Sequence, residues 1–396
     1  MRTGKISVGE TSLSKNDIFV FGASLTSTYW NGAATYYRGI YKYLHRLGYR
    51  ITFAEPAIYS RQDHRDGSNI DYAEVRVYQS PNDIPKLINE AAHAQIVIKH
   101  SGVGAEDERL EREVLTCRSP ETKVIFWDVD APATLARVEA NLSDPFRGLV
   151  PQYDAVFTYG GGPTVLAHYD RLGARFCVSI YNALDPETHH PVPPHPELAC
   201  DLAFVGHRLP DREARVEEFF LRAASQAPDL SFVLGGEGWG EKKLPGNVRW
   251  IGHVGSDRHN LVNCSARMVL NINRDSMAKT GFSPPTRIFE AAGAGACLIT
   301  DAWEGIETFF TPEAEILIAR SARDIVNHLK RLSAADASNI GSAMLRRALS
   351  QHTYEARARE VHAAFQTLFS EETSGQFQPD AVGYKLSQVP VRGVAI

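Results

Sequence analysis

Two series of short apolar runs alternating with helix-period segments, divided by a proline-rich break, limit most strongly what this chain can fold into. The first series opens with Ile18-Phe19-Val20-Phe21 and Gly22. A polar loop through Ser24, Thr26, Asn31 and Gly32 leads to a helix with apolar positions Tyr37, Ile40, Leu44 and Leu47, closed by Gly48. Strands are predicted next at 51–54, 96–98, 124–127, 155–158 and 176–178. Between 185 and 201 the pattern gives way to Pro186, Pro191, Pro193, Pro194 and Pro196 with His189, His190 and His195, the composition of an extended linker. A second series follows, with strands predicted at 202–206, 232–234, 248–251, 268–272 and 296–300. Helical periodicity resumes over 335–369, and the tail after Thr373 reads as loosely ordered.

This alternation is the pattern of parallel βαβ units. It predicts an α/β fold of two Rossmann-like domains facing each other across a cleft, with C-terminal helices. The 396 residues suit two domains, because a single core stops growing at about 250–300 residues. We place the N-terminal domain at 1–187, the linker at 188–200, the second domain at 201–345 and a terminal helix and tail at 346–396. Ligands of such sheets bind outside the carboxyl ends of the strands, so the cleft between the domains is the expected site.

Composition excludes several function classes. A net charge of -5 gives no electrostatic case for nucleic acid or an anionic membrane surface. No apolar run approaches the roughly 20 residues that span a bilayer, and no segment reads as a signal peptide, so a soluble, cytoplasmic protein is expected. The five cysteines are odd in number, widely separated and mostly beside apolar residues, which suits reduced packing residues rather than a disulfide or zinc framework.

One helix-to-strand step carries a chemical signal. Ser283 reads as an N-cap, Pro284-Pro285 as a first turn, and Gly293 or Gly295 as the stop before the strand at 296–300. Unpaired N–H groups and the positive end of the helix dipole, beside Thr286 and Arg287, suit a phosphate. Glu290 lies one turn further on the face of Thr286, where a carboxylate can accept two hydrogen bonds from a ribose diol. The competing reading is an ordinary amphipathic helix with a solvated glutamate.

Other candidates stand at strand ends. Arg208 and Arg212 follow Gly206; Asn273 and Arg274 follow the strand at 268–272. The two arginines equally fit a solvated helix start paired with Glu213 or Glu217. Asp128 and Asp130 follow the strand at 124–127, and a carboxylate there can take a proton from an attacking hydroxyl. Asp130 before Ala131-Pro132 also fits a helix cap. His100, at the end of another strand, is the alternative base or else a structural histidine. Asn31, Gly32 and Arg38 belong to the first strand-to-helix connection, either facing the cleft or serving as loop and helix-start residues. Adjacent His189 and His190 do not make a closed metal site without further ligands.

The succession Val205-Gly206-His207-Arg208-Leu209-Pro210-Asp211-Arg212, Leu270-Asn271-Ile272-Asn273-Arg274 and Arg287-Ile288-Phe289-Glu290-Ala291-Ala292-Gly293-Ala294-Gly295 resembles the donor-binding half of GT-B glycosyltransferases, especially the spore-maturation-protein (CgeB-like) group. The phrases at 21–27, 31–38, 64–66, 99–104 and 127–132 resemble the same group, so the likeness runs over about residues 17–370. It implies a nucleotide-sugar donor, UDP-sugar foremost, with no cofactor and no required metal. It further implies the diphosphate on Arg208 and Arg212, the ribose on Glu290, and the base against the loop Gly252-His253-Val254. One departure is plain: Phe282 stands where many retaining relatives carry a second glutamate, eight positions before the first.

The activity expected is hexosyl-type transfer from a nucleotide diphosphate donor to a hydroxyl-bearing acceptor. Three alternatives stay open at this point. They are a nucleotide-sugar epimerase of the same architecture, a metal-dependent GT-A-like enzyme using Asp128-x-Asp130, and a non-catalytic sugar-nucleotide-binding module.

Overall fold

A computed structural model describes residues 16–29, 31–66 and 70–374. The tail after 374 lies outside the described residues. In the first sheet the strands are β1 (Asp17–Phe21), β2 (Arg50–Pro56), β3 (Glu74–Tyr78), β4 (Ile96–His100), β5 (Lys123–Asp128), β6 (Ala155–Thr158) and β7 (Cys177–Ser179). They are all parallel, in the order β3-β2-β1-β4-β5-β6-β7. The second sheet holds β8 (Cys200–Val205), β9 (Phe232–Gly235), β10 (Val248–Trp250), β11 (Ala266–Asn271), β12 (Leu298–Asp301) and β13 (Leu317–Ala319). Its order is β10-β9-β8-β11-β12-β13, again parallel.

Both sheets are covered on both faces, which explains the near-continuous apolar runs. Alternate residues serve opposite layers: Ile18 and Val20 pack with Ile96, Ile98, Ile125 and Trp127 on one side, while Phe19 and Phe21 pack with Val97, Val124 and Phe126 on the other. The first of these layers is closed by the helix Ala34–Arg46 and by the long C-terminal helix Tyr354–Ser374. Gly39 makes that crossing possible, since a Cβ there would stand 2.3 Å from the Tyr354 ring. The chain thus returns to its N-terminal domain at the end. It does so beside its first crossing: Leu184 N–H donates to His352 O, and Tyr354 N–H donates to Leu184 O.

Two strands escape the sequence pattern. β3 is a half-exposed edge strand whose Glu74 and Arg76 interrupt the apolar signal, and β13 is only three residues long. The proline-rich segment is largely exposed from His190 to Glu197 and has no regular structure before Pro196, while its start is anchored. His189 is buried with its N–H bonded to Asp185 O, and Asn260 Nδ2 of the second domain donates to Thr188 O.

Each sheet reverses its order between its first and fourth strands, β1/β4 and β8/β11. Such a switch point opens a crevice at the carboxyl ends. The segment before the helix Thr286–Gly293 docks the two domains there: Gly161 N–H donates to Phe282 O at 2.9 Å, and Asn182 Nδ2 donates to Pro284 O at 3.0 Å. Gly160 and Gly162 allow the approach, since a Cβ would meet Ser283 at 3.0 Å and Phe282 at 2.6 Å respectively.

Candidate active site

The second-domain wall is built from the ends of β8 and β11 and the start of the helix Thr286–Gly293. That helix begins two residues later than the sequence suggests. Pro285 is its extended N-cap, and Ser283 Oγ donates to Gly281 O instead of capping. Two consecutive prolines therefore precede the first turn rather than forming it, and leave Thr286 and Arg287 as the residues whose N–H groups open the helix.

Arg212 is the central cation of this wall. Its Nη2 donates to His207 O at 2.7 Å, its Nε has no hydrogen-bond partner, and it forms no ion pair among the described residues. Burial, followed by the nearby Arg287 and Arg274 guanidinium groups, lowers its pKa to about 10. Gly206 lets it in, for a Cβ on Gly206 would lie 3.1 Å from Arg212 Nη2. Arg208 behaves differently. It is ion-paired to Glu213 at 2.8 Å and so occupies the alternative that the sequence left open, a helix-start arginine satisfied by its own helix.

Beside Arg212, Asn273 is buried, its N–H bonded to Asp301 and its Oδ1 accepting from Asn271 Nδ2, while its own Nδ2 has no partner. Asp301 is fully buried, and burial pushes its carboxyl up despite the Arg215 pair at 2.5 Å. Arg274 lies 3.1 Å from Asp211 and 3.6 Å from Asp130, the latter across the cleft. Val254 is buried behind β9, its Cγ2 2.7 Å from where a Gly235 Cβ would stand.

Glu290 is buried at the end of this surface. Burial alone would raise its pKa, but Arg287 and then His259 outweigh it and hold the carboxyl well below the usual range. Oε2 lies 3.3 Å from His259 Nδ1 and 3.4 Å from Arg287 Nη1, yet makes no hydrogen bond. An ionised carboxylate, an unpaired guanidinium and an amide donor without a partner are thus set on one wall. Buried polar atoms are normally satisfied, so this many unmet groups side by side mark a place for a polar, anionic ligand.

On the first-domain wall the carboxylates separate. Asp128 is fully buried and accepts from Tyr169 OH (2.5 Å), Ser101 Oγ (2.7 Å), Thr134 Oγ1 (3.0 Å) and Asp130 N–H (3.0 Å). It has no room to act as a base or as half of an Asp-x-Asp metal site, and is a strut for the loop after β5. Asp130 begins the helix Ala131–Ala140, but its side chain caps nothing; it is 41 % exposed and faces Arg274. His100 is sealed in the core against Tyr37 and Trp127, its Nε2 bonded to Tyr41 OH at 2.6 Å. Burial and Lys99 lower its pKa to about 3, so it is a neutral core residue rather than a cleft base.

Asn31 and Arg38 also have local duties. Asn31 Nδ2 donates to Ser24 O and Ser27 O, and Arg38 pairs with Asp66 at 2.6 Å while its Nε donates to Leu25 O. They shape the loop after β1, with Gly32 exposed beside them. The structure brings Gly206, Arg212, Asn273, Arg274, Thr286, Arg287 and Glu290 to the carboxyl-end wall of the second domain. It ties Arg208, Asn31 and Arg38 into local contacts.

Sequence reasoning missed His259, Asp301, Arg215 and Tyr159. Tyr159 follows β6, is partly buried and accepts a hydrogen bond from Asn182 Nδ2. Its signal was legible: Gly160-Gly161-Gly162-Pro163 at a strand end marks a close backbone approach. His259 carried no comparable mark, because its partner is 31 positions away.

With that geometry in place, comparison with known proteins is informative. Residues 212–363 match the family model described as glycosyl transferase-like. The fold is similar to that of the sucrose-phosphate synthase of Thermosynechococcus elongatus, at 12% identity and a TM-score of 0.62 over 90% of this chain and 99% of the other. It is also similar to Anabaena HepE, solved with UDP and glucose, at 11% identity and a TM-score of 0.65 over 89% and 100% of the two chains. An α-glucosyltransferase solved with UDP and DNA gives 12% identity and 0.62 over 89% and 99%. No curated protein matches the chain in sequence. Two parallel Rossmann-like sheets with C-terminal helices match the fold of GT-B glycosyltransferase structures. No helix among the described residues is long and apolar enough to cross a membrane.

Proposed function

We propose that this protein transfers a hexosyl group from a UDP-sugar to a hydroxyl-bearing acceptor without a required metal, as a GT-B enzyme of CgeB-like type. The observation that carries the reading is Arg212, a half-buried guanidinium with a buried, unpartnered Nε and no carboxylate partner among the described residues, near Arg274, Arg287 and the unmet Asn273 amide. Such a group is costly in the free protein, and a diphosphate relieves it. The same donors then stabilise the charge that develops on the departing UDP, which is the compensation a metal supplies in other enzymes. Glu290, ionised by Arg287 and His259, accepts from the ribose hydroxyls.

Asp130 stands on the opposite wall and is the base that takes the acceptor proton as its oxygen attacks the anomeric carbon. Its pairing with Arg274 at 3.6 Å supports a position beside the diphosphate end of the donor, where the bond breaks. UDP is the nucleotide of choice because HepE and the α-glucosyltransferase, which share the fold, were solved with it. Calorimetry with UDP tests the reading. Glu290→Gln should keep the fold and weaken binding by about 1.5–3 kcal/mol, the usual worth of a charged hydrogen bond. Unchanged affinity removes Glu290 from the ribose site.

A further inference from the structure

His189, His259 and Glu290 come from three separate places: the interdomain segment, the start of the helix His259–Ser265, and the helix Thr286–Gly293. One ligand atom from each lies within 4.8 Å of the others. His189 Nε2, His259 Nδ1 and Glu290 Oε2 are all buried and all without a hydrogen-bond partner. His259 Nδ1 and Glu290 Oε2 meet only as an ion-pair contact at 3.3 Å, with Arg287 Nη1 3.4 Å from the same oxygen, and His189 Nε2 has no partner, so three metal-ligating atoms face one another with hydrogen-bonding capacity left over.

We propose that these residues form a three-ligand site for a divalent transition ion of the zinc type, and that ion and nucleotide exclude each other by competing for Glu290. Two imidazoles and one carboxylate, with a fourth position open, are a standard zinc donor set. Ligands about 2.0–2.1 Å from one tetrahedral zinc stand about 3.3–3.4 Å apart. The His259 Nδ1 to Glu290 Oε2 separation is 3.3 Å, so this pair needs no rearrangement. His189 Nε2, within 4.8 Å of the other two, has to move inward by up to about 1.5 Å to reach the same spacing, and it belongs to a proline-rich segment rather than a strand or helix. Arg287 lies 3.4 Å from the same oxygen and must give way, so the affinity falls below that of a closed structural zinc site.

The competition rests on the proposed ribose contact of Glu290; the metal site does not. The test uses the untagged full chain without nucleotide. Cobalt(II) should give one ion per chain with the visible d–d bands of a low-coordinate histidine–carboxylate site, and zinc should displace it. His189→Gln and His259→Gln should each weaken zinc by about tenfold or more, and UDP should raise the apparent zinc Kd by a factor of one plus the ratio of free UDP concentration to its own Kd. Unchanged zinc affinity in both variants overturns the site, as does cobalt binding without d–d bands in the wild-type chain, a readout that does not depend on either variant folding. Zinc and UDP bound together at unaltered affinities overturn the competition. Histidine-dependent zinc binding in a chain that does not bind UDP upholds the metal site and removes the donor reading instead.

Discussion

Arg212→Met should weaken UDP binding without loss of stability, and both outcomes follow from the structure. The guanidinium pKa is lowered to about 10 on folding, through burial first and then Arg287 and Arg274. A base whose pKa is lowered in the folded state is penalised at every pH where it stays charged, here by on the order of 3 kcal/mol against folding. Methionine has a similar reach and no charge, so it removes that penalty. It also removes the 2.7 Å bond to His207 O, worth about 1.5–3 kcal/mol for a charged donor. The ligand-free variant should therefore be as stable as the wild type or more so, by up to about 1.5 kcal/mol, in urea denaturation. Affinity for UDP should fall by about 10- to 150-fold, equivalent to 1.5–3 kcal/mol of charged hydrogen bonding. A variant that loses stability and binds UDP as tightly as the wild type refutes the argument, because Arg212 would then be a structural cation and not an anion site.

Asp130→Asn should lower the transfer rate by about 10²–10⁴ while leaving UDP affinity within twofold, read by single-turnover rate beside calorimetry; near wild-type transfer moves the base elsewhere. Transfer should persist in EDTA, and if chelation abolishes it and manganese restores it, the metal-independent reading falls. His352 is held neutral, its Nε2 donating to Phe309 O and its Nδ1 accepting from Arg357, with its pKa lowered to about 4 by burial and then Arg357. The unfolded chain therefore binds the extra proton first as pH drops below 6.5, so stability at neutral pH is lost progressively between about 6.5 and 4. His352→Gln should flatten that part of the stability profile, measured by urea melts across the range, and an unaltered slope rules the residue out as a cause.

Much of the architecture was legible in the sequence because its determinants are local. Strand runs such as Ile18–Phe21 and Val124–Trp127 are apolar on both faces, and Gly48 and the prolines of 186–196 punctuate them, so two parallel sheets follow from periodicity alone. β3 failed to show because an edge strand buries only half its residues, and the helix Thr286–Gly293 started late because two consecutive prolines favour extended backbone before them. The residues of the donor wall, Arg212, Asn273, Arg274, Arg287 and Glu290, could be named from strand ends and a helix start. Their charge states could not. Whether an arginine meets a carboxylate or other guanidinium groups depends on which elements the tertiary fold brings together, so Arg208 and Arg212, four positions apart, have opposite surroundings. The same holds for Asp128 and Asp130: identical side chains two residues apart, one saturated by four hydrogen bonds from three elements, the other turned to the cleft. Sequence set the alternation of elements and the chemistry available at their ends. Only the packing of one element against another decided which of those groups were satisfied, and the convergence of His189, His259 and Glu290 from three separate segments is the part that no local pattern could carry.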